Sequence, residues 1–293
     1  MTKLYLLLSA IFNIAIMSVF WKHAIPVLHG WGVELWGAGF LAWLGLPLSA
    51  MNYLWATISV LLPACCAQLP FVERWFCYML GARELEGVQG MRIQEAVNVA
   101  CAHAGIEPER LNVYMHYDNE INAFMTGKNN LVVFVGASRV LSIPDLAGMI
   151  AHELGHYKHG DSYHSITLYL MGFLPNKFME FLQYIADLCF YGRNWGIVFA
   201  VLGYVLSVIC CIFRFILSIP FFVAGLIFGV EGGEKNADKY ACEIGMGMYL
   251  YSAINIIREK DTHKTSLREK WINAYGSYEQ RLNDILGFCK NLS

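Results

Sequence analysis

The stretch Leu4–Phe20 carries no charged residue, and Lys3 and Lys22 stand close to its two ends. A run of that kind has few places to go. Roughly 20 apolar residues cross a bilayer, so it reads as an anchor or as a cleaved leader. A leader needs a short apolar core and a small-residue cleavage site. Phe20-Trp21-Lys22 is bulky, which favours an anchor. The feature recurs: between Ile25 and Val72 the one charged residue is Glu34, and between Trp195 and Val230 it is Arg214. Apolar residues make up 57 % of the 293-residue chain and charged ones 15 %. A soluble domain has about 45–50 % and 25 %. Such a chain cannot clothe its apolar surface with charge, and part of it belongs in lipid.

The runs divide the chain into four parts. Residues 1–72 are an N-terminal membrane region. Within it, Trp31, Trp36 and Trp43 alternate with glycines, and indoles favour the headgroup level. This puts Gly30–Pro47 at the far interface and a second span at about Ser49–Pro70. Arg74, Arg83 and Arg92 follow closely, and positive residues beside a span mark the cytoplasmic side. Residues 163–230 form a membrane hairpin. Its first arm, Ser165–Tyr191, is interrupted by Pro175, Lys177, Glu180 and Asp187, and its second is one long helix over Trp195–Val230. About four transmembrane helices result, in a multi-pass protein of the inner (plasma) membrane.

Residues 73–162 and 231–293 are polar enough to face the cytoplasm. Met91–Ala104 repeats apolar positions at helical spacing, and Leu111–His116 and Leu131–Val135 read as strands. Asp118–Asn130 between them is rich in Asn and Gly and reads as a connection. Pro144 opens another helix. The fold class is α+β, mainly helical, with a small sheet. The net charge of −2 and the lack of a basic tract exclude a phosphate-neutralising surface, and with it nucleic acid. The nine cysteines include no C-x-x-C pair. Cys65, Cys66, Cys210 and Cys211 stand in apolar runs and read as packing residues of a reducing compartment.

The chemistry concentrates in His152-Glu153-Leu154-Gly155-His156, on the helix that Pro144 opens. Side chains four apart share a helix face, so both imidazoles can reach one ion at about 2.0–2.1 Å. Glu153 is placed to take a proton from the attacking water and return it to the leaving amine. Leu146–Ala151 ahead of the motif is apolar, so it lies on a buried helix, where unpartnered polar groups are costly. Zinc suits the donors, one ion per chain, and needs a third protein ligand. His159 lies some 10 Å along the helix axis from His152 by helical rise, too far to share the ion, and His164 meets a similar objection. Glu231 and Glu234 follow the hydrophobic hairpin. Glu234 is preferred, because Asp238 stands one turn further on and can accept the free N–H of a ligand histidine. His152 and Glu234 must then lie on one side of the bilayer, so the spans between them are even in number. Candidates to stabilise an oxyanion are His116, His164 and Tyr240, with Tyr240 read first as a packing aromatic.

The order His152-Glu153-Leu154-Gly155-His156, Gly160-Asp161, hydrophobic hairpin, Glu234-x-x-Ala237-Asp238 resembles the HtpX-type integral-membrane zinc metalloproteases, relatives of the type 1 CAAX prenyl proteases. Asn122-Ala123-Phe124-Met125-Thr126-Gly127 resembles them too. The likeness covers roughly Met91–Gly247. It implies a zincin-like domain facing the cytosol, a glutamate as third ligand, and cleavage of misfolded or membrane-associated proteins. It also implies that Asn122 and Ala123 lie near the substrate. A scaffold that keeps a structural metal without catalysis is the alternative, although such a protein would most simply have lost Glu153.

Overall fold

The computed structural model describes residues 2–30, 47, 50–67, 69–160, 162–192, 196–228, 230–260 and 278–292. The chain forms two compact units, each built from two separate stretches: Met1–Ala67 with Thr167–Ile227, and Gln68–Ile166 with Phe228–Ser293. The protein is mainly helical with one small mixed sheet.

The first unit contains α1 (Thr2–Gly30), α2 (Met51–Cys66), most of α7 (Tyr163–Tyr191) and α8 (Ile197–Phe228). Ala56, Val60 and Ala64 recur every four residues along α2 and are buried with Ala10 and Met17 of α1 and Met171 of α7. Small side chains at that spacing let helices approach closely. The Trp21 indole N–H donates to Ser59 Oγ at 2.9 Å, fixing the register of α1 on α2. The outer faces are not polar. Val198, Phe215 and Ile11 are 72, 69 and 56 % exposed.

Leu6–His29 within α1 is long and apolar enough to cross a membrane, and Ile197–Ile212 is a shorter apolar run. Of the four spans expected, that one helix meets the length and composition unaided among the described residues. The second, expected over Ser49–Pro70, is a helix of 16 residues, which rises about 24 Å against a hydrocarbon core of about 30 Å. It stops early because Leu69 is extended and Pro70 starts the next helix. The Gly30–Pro47 segment lies outside the described residues except at its ends. All nine cysteines are free; Cys210 is buried, but Cys65 and Cys211 are exposed rather than packed.

The second unit begins with α3 (Pro70–Met79), followed by strand β1 (Ala82–Glu84), α4 (Gly87–Ala104) and β2 (Asn112–His116). Then come β3 (Ala123–Thr126), β4 (Asn130–Phe134), α5 (Val135–Val140) and α6 (Ile143–His159). After the other unit's residues the chain returns as α9 (Val230–Glu243), α10 (Gly247–Lys260) and α11 (Tyr278–Leu292). The sheet order is β1-β2-β4-β3, with β2 and β4 parallel and the outer pairings antiparallel. β3 falls in Asp118–Asn130, which its Asn and Gly content had marked as a connection. Four residues are too few to display an alternating pattern. β3 closes on β4 through a turn at Gly127, whose φ is +63°.

Alternation across the pleat gives each sheet face its own core. Met115, Leu131 and Val133 join the main core with Ile93 and Val97 of α4 and Ile150 of α6, whereas Tyr114 and Val132 pack on Cys77 of α3. The helix of the histidine motif is therefore buried from the sheet side. α6 is capped at its start by Ser142 Oγ, which accepts from the Asp145 N–H, and at its end by Gly160 in the left-handed region. Each cap satisfies backbone groups the helix leaves unpaired.

Candidate metal centre

Two glycines decide what can approach α6. A Cβ on Gly155 would stand 2.6 Å from Ala237 Cα, and one on Gly148 would stand 2.4 Å from Leu250 N. α9 and α10 thus lie against the motif helix at backbone contact, on residues seven apart along it. Gly155 is one of the two residues between His152-Glu153 and His156, and Ala237 lies between Glu234 and Asp238. The residues between the polar groups are the ones that let the two helices meet.

At that crossing His152, His156 and Glu234 bring one donor atom each to within 4.8 Å of one another. Glu234 Oε2 is 3.3 Å from His152 Nε2, and Oε1 is 3.5 Å from His156 Nε2. Ligands held tetrahedrally at about 2.0–2.1 Å from one zinc would be about 3.3–3.4 Å apart, and Glu234 comes about that close to each histidine, though through a different oxygen for each. His152 Nδ1 faces Asp238 Oδ1 at 2.7 Å. A proton on Nδ1 donated to that carboxylate leaves the Nε2 lone pair turned toward Glu234. Glu153 stands alongside, its Oε1 4.0 Å from His152 Nε2. Its Oε2 accepts the Met125 backbone N–H of β3 at 3.0 Å.

Arg281 of α11 carries no local signal in the sequence. Its Nε and Nη2 donate to Asp238 Oδ2 and Oδ1 at 2.9 and 2.8 Å, and Nη2 lies 3.9 Å from Glu234 Oε2. This fork on Asp238, itself fully buried, fixes the carboxylate that orients His152. Nothing in its spacing could announce it: Arg281 is one arginine of an amphipathic helix, 43 residues beyond Asp238. The main-chain donor at Met125 was equally invisible, because it depends on β3 being a strand.

The electrostatics are those of a group that could hold a cation. Two carboxylates, Glu234 and Asp238, face the Arg281 guanidinium, which leaves one negative charge, and Glu153 beside His152 adds another when ionised. Without a cation, the imidazoles take up the charge. Burial and the Arg281 charge push the His152 imidazole down, but the hydrogen bonds it donates to the Asp238 and Glu234 carboxylates outweigh them and raise it to about 9. Burial likewise opposes protonation of His156, and Glu234 overrides it. Burial also works against the Glu234 and Asp238 carboxylates, yet the two imidazoles at Glu234, and His152 with Arg281 at Asp238, hold them below the usual range. Glu153 alone goes the other way. Burial raises its carboxyl against the pull of the two histidines.

A cavity of about 430 Å³ opens over these groups, lined among others by Asn122, Ala123, Met125, Glu153, Glu234 and Arg281. Asn122 Oδ1 accepts the Ala123 N–H at 2.9 Å. The other sequence candidates lie elsewhere. His116 stacks on Phe134 with ring centroids 4.6 Å apart. Tyr240 is buried under Lys158, whose Nζ is 4.6 Å from its ring centroid. His159 is exposed and bonds the Gly155 carbonyl at 2.7 Å. Asp161 and the side chains of His164 and Glu231 lie outside the described residues.

A model of Peptidase family M48 matches residues 88–265, more than half of the chain. The chain belongs to peptidase family M48. Within that family it is similar to proteins described as protease HtpX homologs. The one from Acidiphilium cryptum (strain JF-5) is 35 % identical over 94 residues, 31 % of this chain and 32 % of that protein. The one from Burkholderia mallei (strain SAVP1) is 32 % identical over 95 residues, 31 % of this chain and 33 % of that protein. The chain thus spans about a third of the length of the curated relatives it matches. As an HtpX-type M48 protein it bears out the family resemblance read from its motifs.

Proposed function

We propose that this M48 chain is a membrane-embedded zinc endopeptidase that hydrolyses peptide bonds in misfolded or membrane-associated proteins. The observation that carries the reading is the convergence of His152, His156 and Glu234 within 4.8 Å, with Glu153 beside them. His152, His156 and Glu234 would hold one zinc per chain, and Asp238 orients His152. Bound there, zinc supplies a Lewis acid that activates water and polarises the scissile carbonyl.

The chain's own groups do the rest. Glu153 accepts a proton from the attacking water and passes it to the leaving amine nitrogen. Burial suits it to that double duty, because a carboxyl raised above its ordinary value holds the proton longer. The Met125 N–H keeps one oxygen of Glu153 fixed, so the other is free to face the substrate. β3 is an edge strand of the sheet, and its Asn122–Ala123 end lines the cavity. An extended substrate can add to such an edge through main-chain hydrogen bonds, which positions a peptide without demanding a sequence. Arg281 supports Asp238 and brings a positive charge to the cavity wall.

The reading extends to the membrane. Residues 1–72 and the hairpin 163–230 anchor the protein in the plasma (inner) membrane with about four spans. Residues 73–162 and 231–293 form the catalytic part on the cytoplasmic side, and the even number of spans between His152 and Glu234 keeps both there. The test is to purify full-length protein in detergent, quantify zinc, and compare casein cleavage with that of Glu153→Gln. Both proteins should hold about one zinc, and the variant should lose roughly 10²–10⁴-fold in rate. Equal cleavage by the two would remove Glu153 from the mechanism.

A further inference from the structure

Helix α3 is turned the wrong way round for a water-facing helix. Phe71, Trp75 and Met79, spaced at i, i+4 and i+8, are 69, 44 and 55 % exposed, with Arg74 and Tyr78 beside them on the same face. Its acidic residue, Glu73, is 4 % exposed on the opposite face with Phe76 and Cys77. A soluble helix over a sheet would bury the phenylalanine and indole and leave the carboxylate in water.

The orientation is held from below. Glu73 Oε2 accepts from Asn130 Nδ2 at 3.2 Å and from the Lys128 N–H at 3.4 Å, across the β3–β4 turn. Gly127 in that turn makes room: a Cβ there would stand 2.9 Å from the Glu73 carboxyl carbon. Cys77 meanwhile packs on Ala82, Tyr114 and Val132 of the sheet. The helix is therefore latched with its acid inward and its aromatic stripe outward.

We infer that this stripe lies in the headgroup region of the bilayer, so that the catalytic unit itself rests on the membrane through α3. Three observations select lipid over a protein partner. The face combines an indole, a phenol and a guanidinium with two apolar side chains, the mixture that settles where acyl chains meet headgroups. Its own acid is withdrawn; the one carboxylate beside the stripe, Glu84 of β1, accepts from the Tyr78 hydroxyl at 2.8 Å, and Arg74 supplies the positive charge that lipid phosphate would meet. Only Ala67, Gln68 and Leu69 separate α3 from α2, itself apolar and with Leu62 59 % exposed. A short helix with one apolar face, attached directly to the apolar helix α2, has the form of an interfacial helix. The inference rests on the membrane reading above and adds a second contact to it.

The test uses the full chain and its Trp75→Phe variant, an exposed and conservative change. Both are reconstituted in phosphatidylcholine–phosphatidylglycerol vesicles that are unbrominated, brominated near the headgroup, or brominated near the end of the acyl chain. The emission difference between the two proteins isolates Trp75. That component should fall about twofold or more with shallow bromine and less with deep bromine, as for a helix lying in the interface. An equal component in all three vesicles, while the remaining tryptophans are quenched, overturns the inference, whether water or a second copy of the chain covers the stripe. No quenching of any tryptophan overturns the membrane reading as well, and so separates the two failures.

Discussion

The two units of this chain treat their side chains in opposite ways. In the unit formed by Met1–Ala67 and Thr167–Ile227, large apolar groups such as Val198 and Phe215 point outward, and the contacts between helices run through alanine, valine and methionine. In the unit formed by Gln68–Ile166 and Phe228–Ser293, the apolar residues fill the centre, and ionisable groups are buried among them at one crossing of helices. His152, Glu153 and Asp238 are 5, 8 and 0 % exposed. Burying three such groups is unfavourable unless each is paired, and here each has a named partner. The contrast teaches where the chain spends its specificity. One unit asks only to be apolar and closely fitted, while the other holds donors at separations of a few ångströms.

The comparison can be broken most severely by truncating one apolar residue in each unit. Ile150→Ala, in the fully buried part of α6, should cost about 2–5 kcal/mol. Val198→Ala, 72 % exposed on α8, should stay within about 0.5 kcal/mol. Chemical denaturation of the full chain in detergent compares them, and similar losses would erase the distinction drawn between the units. Next in size is Gly155→Ala, which drives a methyl into Ala237 at the crossing. Overpacking of that kind costs roughly 1–3 kcal/mol, and because it separates His152 from Glu234 it should lower zinc content along with the melting temperature. A variant that melts earlier but keeps its zinc would show that the glycine serves packing alone. Smallest, and most specific, is Asp238→Ala. It should weaken zinc binding by about 10–100-fold, measured by competition with a chelator, and a wild-type affinity would leave Asp238 without its assigned role.

Much of this was legible in advance, for a physical reason. H-E-x-x-H needs no tertiary information to put two imidazoles on one face, because helical periodicity does it locally. The same rule links Glu234 to Asp238. Strands β2 and β4 announced themselves through runs of β-branched and apolar residues. What stayed hidden depends on contacts between distant parts of the chain. β1 and β3, of three and four residues, are strands only because β2 and β4 offer them hydrogen bonds. Arg281 matters through its partner, 43 residues away, and no local pattern marks it. The inversion of α3 was hidden for the same reason, since Glu73 reads as a surface acid until Asn130 and Lys128 are placed beside it. The spans lay between these cases. Hydropathy located the apolar runs, but the 16-residue length of α2 follows from Leu69 and Pro70, a stop signal that a composition window averages away.

The central claim is that two stretches of chain, separated by the residues of the other unit, share one metal ion. X-ray absorption at the zinc edge on the purified full-length protein examines that ion directly. Zinc held by His152, His156 and Glu234 should show a shell of nitrogen and oxygen neighbours at about 2.0–2.2 Å that includes two imidazoles. In Glu234→Ala the oxygen contribution should fall. A sulfur shell at about 2.3 Å, which would recruit one or more of the nine free cysteines, or a spectrum unchanged in Glu234→Ala, would contradict the shared site.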